Sequence, residues 1–444
     1  MTKNMLKATI AGLGIALALA GCSGTAETST TDAETVKTDN AVVVVDEATG
    51  QDQEAETVVV TPASSTYTAQ VTELAGATGG ILSAADLFTE RDLTQNADLS
   101  SAVYYTLEDG QDIAITSEGV YVISGTASNV TITVEAPDTD KVQIVLDGAT
   151  ITNDDSPCIY VKSADKVFVT TTEGSTNTLS VTGTFSADGD TNTDAVIFSR
   201  DDLVLNGLGT LNISSTDNGV SCKDDLKITG GTIVIDCASD GLEANDSVRI
   251  AGGDITITTP KDGIHAENDE DDSVGYVYIC GGSLDIEAGD DAIHATTYVQ
   301  IDGGTIDISA AEAIEGTIVQ INGGDIDIYA TDDGINASYK SNSLGVPVIE
   351  INGGTIAISM AQGDTDALDS NGYLYINGGT VDISAQFAFD FDYGAELNGG
   401  TVYVNGEQVY EITESMMMGG PGGGMGGPGG GMGGPGGGFG GPGF

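Results

Sequence analysis

The sequence predicts an all-β chain wound as a right-handed parallel β-helix, with about 21 residues and three short strands per coil. Three observations carry this expectation. The first is a double glycine followed by a short β-branched run, at Gly230-Gly231, Gly252-Gly253, Gly281-Gly282, Gly303-Gly304, Gly323-Gly324, Gly353-Gly354, Gly378-Gly379 and Gly399-Gly400. The second glycines lie 22, 29, 22, 20, 30, 25 and 21 residues apart, so the longer steps carry insertions. The second is another recurring anchor, of the form Asp240-Gly241-Leu242-Glu243-Ala244, Asp262-Gly263-Ile264-His265-Ala266 and Asp291-Ala292-Ile293-His294-Ala295. The third is the lack of any 3.6-residue apolar period between Asp112 and Glu414. Each period then holds three strands, for example residues 292–295, 298–301 and 305–309. A single coil cannot bury its apolar face, so coils must stack.

Along the chain, residues 1–21 read as an export signal. Lys3 and Lys7 precede an apolar run over residues 8–20 that is too short to span a bilayer. It ends in Leu19-Ala20-Gly21-Cys22, which resembles the bacterial lipobox, so Cys22 is the expected lipidation site. Residues 22–100, rich in Thr, Ala, Ser, Asp and Glu, read as the lipidated cysteine followed by a mostly disordered tether. Within it the valine runs at 42–45 and 58–60 are candidates to pair as strands. Residues 101–415 form the predicted β-helix. There the glycines serve turns that need positive φ, and the preceding Asn322, Asn352, Asn377 and Asn398 are expected to tolerate that region. Residues 416–444 repeat Gly-Gly-Pro-Gly-Gly-Gly-Met, which cannot pack a core and reads as a flexible tail.

The 444 residues carry 13 Lys and Arg against 68 Asp and Glu, a formal net charge of −55. So acidic a surface repels nucleic acid and anionic lipid as direct partners. It points to cations, or to neutral or cation-bridged polymers. Cys158, Cys222, Cys237 and Cys280 fall at different positions of the repeat, leaving both disulfides and buried thiols open.

Equivalent positions in successive coils form columns. One runs Asp285, Asp307, Asp327, on the outward position of the post-glycine strand. A second runs Asp240, Asp262, Asp291, Glu312, Asp333, Asp366, thickened by Asp290, Asp332 and Asp364, with Asp269 and Asp271 in an insertion beside it. Stacked carboxylates repel unless something positive lies among them, and calcium takes six to eight oxygens, so Asp240, Asp262, Asp285, Asp291, Asp307, Asp327, Asp333, Asp269 and Asp271 are the expected calcium ligands. His265 and His294 occupy one position in adjacent coils, flanked by Glu243 and Glu315. A transition-metal or acid–base role for them finds no third neutral ligand in the sequence. Tyr276, Tyr278, Tyr298, Tyr373 and Tyr375 alternate outward on the pre-glycine strand, as a row of rings for stacking on sugars or as ordinary strand formers.

With these residues in view, the chain resembles a family of calcium-containing parallel β-helix carbohydrate-binding proteins related in fold to pectate lyases. The matching text includes Gly119-Val-Tyr-Val-Ile-Ser-Gly125, Lys141-Val-Gln-Ile-Val-Leu-Asp-Gly-Ala-Thr-Ile-Thr-Asn153, Ile159-Tyr-Val-Lys-Ser-Ala-Asp-Lys166, Asp201-Asp-Leu203 and Lys223-Asp-Asp-Leu226. The resemblance implies binding of cellulose-like and acidic, pectin-type polysaccharide with bound calcium. The expected protein is therefore an extracellular, membrane-anchored lipoprotein, monomeric, with polysaccharide as its partner. A calcium-dependent pectate-type lyase is the alternative, with Lys227 and Arg249 in a shared column among the available cations, and a structural adhesin is a further one. So few cations favour binding over catalysis.

Overall fold

A computed structural model describes residues 36–38, 41–43 and 82–415, apart from 269, 342 and 364. Cys22, the 58–60 run, Asp269, Asp364 and the 416–444 tail lie outside the described residues. Val36–Thr38 and Ala41–Val43 pair antiparallel within a separate unit, residues 1–61. No helix among the described residues is long and apolar enough to cross a membrane.

The described residues from 82 onward are almost entirely β, with one short helix, Ala84–Leu87, and one 3-10 turn, Leu99–Ser101. From Val103–Thr106 to Thr401–Val404, strands pair in parallel with partners one repeat away, and Glu407–Val409 closes the series as an antiparallel hairpin strand. The register is in phase with the sequence repeat. Leu211, Ile233, Ile255, Leu284, Ile306, Ile326, Ile356, Val381 and Val402 face one another in turn. A second column runs through Ile250, Ile279, Ile301, Ile321, Ile351 and Ile376, and a third through Leu242, Ile264, Ile293, Ile314, Ile335 and Leu368. All three columns are buried in one continuous core. Two of the three expected strands per repeat fuse in places: Asp291–Ile301 is one strand with a register shift between Ala295 and Tyr298.

The two glycines of each doublet answer different demands. The first lies so near the preceding repeat that a Cβ at Gly353 would stand 2.4 Å from the Asn322 carbonyl oxygen. The second takes positive φ, as at Gly354 with φ of +88°. The asparagines before them do not, which corrects the expectation for them. Instead they form a side-chain ladder: Asn352 Nδ2 donates to Asn322 Oδ1 at 2.8 Å, Asn377 to Asn352 at 2.8 Å and Asn398 to Asn377 at 2.9 Å. A primary amide carries both donor and acceptor, so identical residues one above another satisfy each other.

The expected disordered tether does not extend over residues 82–100. This segment lies across the pre-glycine strands, with Leu82 hydrogen-bonded to Gln300 and Gln95 to Gly207 and Thr229. Its Asp92 is fully buried, 3.2 Å from Lys166 Nζ and 3.7 Å from Lys227 Nζ. Burial opposes charge on Asp92, but the Thr89 N–H and both lysines outweigh it and hold the carboxyl below its usual range. Lys227 is pushed down by burial and by Lys166 and Arg249. Among the described residues, Cys158, Cys222, Cys237 and Cys280 are free thiols, the first three buried.

Two stability outcomes follow from these ladders. Asn352→Ala removes a donor to Asn322 and an acceptor for Asn377, and should lower unfolding free energy by about 1–3 kcal/mol in denaturant titration. Asp92→Ala leaves Lys227 buried without its carboxylate and should cost about 3 kcal/mol or more. An unchanged denaturation midpoint in either variant would show that its ladder or ion pair contributes nothing.

Candidate functional site: an acidic and imidazole ladder

The same register that stacks aliphatic residues inside stacks chemistry outside. Ser221, Glu243, His265, His294, Glu315, Asn336, Asp369 and Asp390 occupy one column. Their chain neighbours Leu242, Ile264, Ile293 and Ile314 point into the core, so alternation turns this column to the other face. Beside it lie the turn acids Asp240, Asp262, Asp291, Glu312 and Asp333. Several are held by the backbone of the next repeat: Asp262 N–H donates to Asp240 Oδ1 at 3.3 Å, Asp291 N–H to Asp262 Oδ1 at 3.0 Å, and Asp366 N–H to Asp333 Oδ1 at 3.2 Å. In Asp240 and Asp262 one carboxylate oxygen is thus structural, and the other turns toward His265.

The two rings stand 4.8 Å apart between centroids. His265 Nδ1 is 3.2 Å from Asp240 Oδ2 and 3.3 Å from Asp262 Oδ2. His294 Nδ1 is 2.7 Å from Asp291 Oδ2 and 3.2 Å from Glu315 Oε2, which also takes an ion pair from Lys340 at 2.7 Å. Burial works against a charge on His265, yet the hydrogen bond to Asp240 and the fields of Asp262, Asp240 and Glu267 prevail and raise it to about 9. His294 goes the other way, lowered by burial and then by the neighbouring His265 charge. Asp291 is driven far above the carboxylate range by burial, Glu315 and Asp262. Glu315 is lowered, because Lys340 and His294 overcome its burial.

Among the described residues, four sets of three groups bring ligand atoms within 4.8 Å of one another: Asp240, Asp262 and His265; Asp262, Asp291 and His294; Asp291, Glu312 and Glu315; and Asp202, Asp224 and Asp225. The last two are all-oxygen sets of the kind calcium takes. At the third, Asn336 Nδ2 donates to Glu312 at 3.0 Å, while its buried Oδ1 has no hydrogen-bond partner. A carbonyl oxygen without a donor beside crowded carboxylates fits a hard cation. The expected ligands thus divide. Asp240, Asp262 and Asp291 converge on imidazoles, and Asp333 adjoins them, raised to about 6 chiefly by burial.

Asp285, Asp307 and Asp327 are in register as expected, but they are exposed and join none of these sets. Asp271 is exposed too, and its Oδ1 accepts from the Ser273 N–H and hydroxyl, shaping the loop. Sequence reading passed over Asp202, Asp224 and Asp225, although the repeated Asp-Asp-Leu text marked them. It also assigned no ligand role to Asn336 and no acidic partner to Lys340, whose places depend on a side chain and an insertion folding back.

The tyrosine row needs correction as an open platform. Tyr276 and Tyr278 are buried, covered by Phe88 of the 82–100 segment, with Arg249 over the Tyr276 ring and the Tyr278 hydroxyl donating to Asp302 at 2.6 Å. Tyr375 is buried and Tyr298 partly so, because neighbouring rings and Ile318 and Val348 pack on them. Tyr373 stacks on Tyr375 and also meets Tyr393, which is 59% exposed. The Tyr393 hydroxyl lies 3.4 Å from that of Tyr339, next to Lys340. Tyr339 and Tyr393, both exposed, thus meet the partly buried Tyr373 near the acidic column. Tyr339 lies in an insertion and Tyr393 in a turn, so no repeat pattern marks them.

Glu312 and Asp369 are each raised to about 7, first by burial and then by neighbouring carboxylates, from 4.5 and 3.8. Their native values exceed the unfolded ones, so the stability they allow below about pH 4 is lost as pH climbs through 7. Metal-free protein should accordingly melt at lower temperature at pH 7.5 than at pH 4.5. The stabilisation gained by Asp369→Asn should widen between pH 4 and pH 7, and a difference constant with pH would contradict the burial argument.

Comparison with known proteins gives the family. The family model for carbohydrate-binding domain-containing proteins matches residues 109–367. A relative from Acetivibrio thermocellus, itself described as a carbohydrate-binding domain-containing protein, is 40% identical over 126 residues, 28% of this chain and 44% of the relative. The match thus spans less than half of that relative's length. A solved structure of a polysaccharide lyase-like protein from C. thermocellum, a gadolinium derivative, is 29% identical, with a TM-score of 0.43 over 60% of this chain and 99% of that one. The family match covers more than half of the sequence: this chain belongs to the carbohydrate-binding domain-containing proteins.

Proposed function

We propose that this protein is a cell-surface lipoprotein, anchored through Cys22, that binds cellulose-like and acidic, pectin-type polysaccharide on a calcium-supported right-handed parallel β-helix. The observation that carries the reading is the stack of carboxylates in register, with Lys340 and Lys223 the lysines paired to it, at Glu315 and Glu243. Parallel pairing one repeat apart, with three apolar columns meeting in one core, is what a β-helix coil requires.

Glu312, Glu315, Asn336 and Asp291 would hold calcium, as would Asp202, Asp224 and Asp225. When bound, the ion supplies positive charge that offsets the carboxylates and offers coordination positions to sugar carboxylates and hydroxyls. Exposed Asp285, Asp307 and Asp327 present a flat acidic ladder suited to calcium bridges with a polyuronate. Tyr339, Tyr373 and Tyr393 supply ring faces for the apolar side of a sugar.

Binding is favoured over lyase chemistry by the state of the cations. Lys227 faces Asp92, and Arg249 is paired with Asp225 at 2.6 Å beneath the 82–100 segment, so neither is free to take a proton from a uronate.

Pull-down on insoluble cellulose and on polygalacturonate, with calcium and then with chelator, tests the reading. Chelation should abolish retention on polygalacturonate, and the pair Tyr373→Ala and Tyr393→Ala should weaken retention on cellulose by about tenfold. Retention unchanged in chelator by a protein that metal analysis finds empty would remove calcium from the account. Unsaturated uronate absorbing in the ultraviolet would replace binding with lyase activity.

A further inference from the structure

The middle of the ladder differs from its two ends in one respect: it contains imidazole nitrogen. The sequence holds two histidines, and the fold brings both to adjacent positions of one column. Each faces two carboxylate oxygens through Nδ1, His265 toward Asp240 and Asp262, His294 toward Asp291 and Glu315. An imidazole Nδ1 carries at most one hydrogen, so it cannot donate fully to two carboxylates at once. At His265 the two distances, 3.2 and 3.3 Å, are nearly equal, and neither is short.

Those distances match something else. A tetrahedral ion with ligands at 2.0–2.2 Å spaces its ligand atoms roughly 3.3 Å apart. His265 Nδ1 stands at that spacing from both Oδ2 atoms. The carboxylates are also fixed in the manner of metal ligands, since Asp240 and Asp262 each have Oδ1 tied to the next backbone N–H and Oδ2 turned inward. The remaining ring nitrogen, His265 Nε2, is buried without a hydrogen-bond partner, with Glu267 Oε2 3.5 Å away. A metal on Nδ1 would fix the tautomer with hydrogen on Nε2, pointing toward that glutamate.

We propose that His265, Asp240 and Asp262 form a site for a transition-metal ion of the zinc class, with His294 beside it in the next repeat. Mixed imidazole and carboxylate ligation suits Zn²⁺, Co²⁺, Ni²⁺ and Cu²⁺, whereas calcium prefers oxygen alone. The assignment stands on the side chains alone and does not depend on the sugar reading.

The full chain, saturated with millimolar calcium to occupy oxygen-only sites, is titrated with Co²⁺ and followed by visible absorption and by metal analysis after dialysis. Co²⁺ should bind with ligand-field bands of mixed nitrogen and oxygen ligation, and Zn²⁺ should displace it. The double variant His265→Gln, His294→Gln should bind Co²⁺ at least about 100-fold more weakly, while calcium uptake persists. Equal Co²⁺ uptake by the two proteins, or none by the wild type, overturns the proposal. Cu²⁺ loading of the wild type gives a readout that needs no variant. Imidazole nitrogen coupling in its electron paramagnetic resonance must come from His265 or His294, and its absence is equally fatal. Failure to bind polysaccharide would leave these outcomes untouched.

Discussion

Parallel pairing in register is the constraint from which the rest of the molecule follows. Each residue lies beside its counterpart one repeat away, at the roughly 4.8 Å spacing of hydrogen-bonded strands. Whatever a repeat places at a position is therefore multiplied into a column. For aliphatic residues this is favourable without further provision, as at Ile306, Ile326 and Ile356, where identical side chains pack into the core. For a primary amide it is favourable as well, since each asparagine of the 322, 352, 377 and 398 ladder donates to one neighbour and accepts from another.

For carboxylates the same geometry is costly, and the chain manages the cost in three ways. Some acids are left exposed, as at Asp285, Asp307 and Asp327, where water screens them. Others give one oxygen to a backbone N–H of the next repeat, as Asp240, Asp262 and Asp333 do. A third group, around Glu312, Asp291 and Asp369, keeps its protons to unusually high pH, because burial and like charge both oppose ionisation. This last group, the Asp202, Asp224 and Asp225 set, and Asp240 and Asp262 beside the imidazoles have the crowding that makes a cation the natural complement.

The 82–100 segment shows how a surface pattern is reassigned by a distant part of the chain. Alternation sends Tyr276 and Tyr278 outward from the core, yet Phe88 and its neighbours cover them. The same cover buries Asp92 against Lys166 and Lys227, which concentrates a share of the scarce positive charge in structure and away from solvent. Near the acidic column exposed rings remain at Tyr339 and Tyr393, against the partly buried Tyr373.

The amino-acid sequence by itself determined the β character, the repeat length and the composition of the columns, because those depend on periodicity, and periodicity is local. It also put His265 next to His294 and Asp285 next to Asp307 through spacing alone. Only the tertiary structure decided which columns are reactive. Asp240 and Asp285 look alike in sequence, and they differ because one borders a half-buried imidazole while the other faces water. Asn336 and Lys340 joined the site through a side chain and an insertion folding back across repeats, and Tyr276 left the surface through Phe88, 188 residues earlier. Such contacts follow from which surfaces meet after folding, a long-range matter that no repeat encodes.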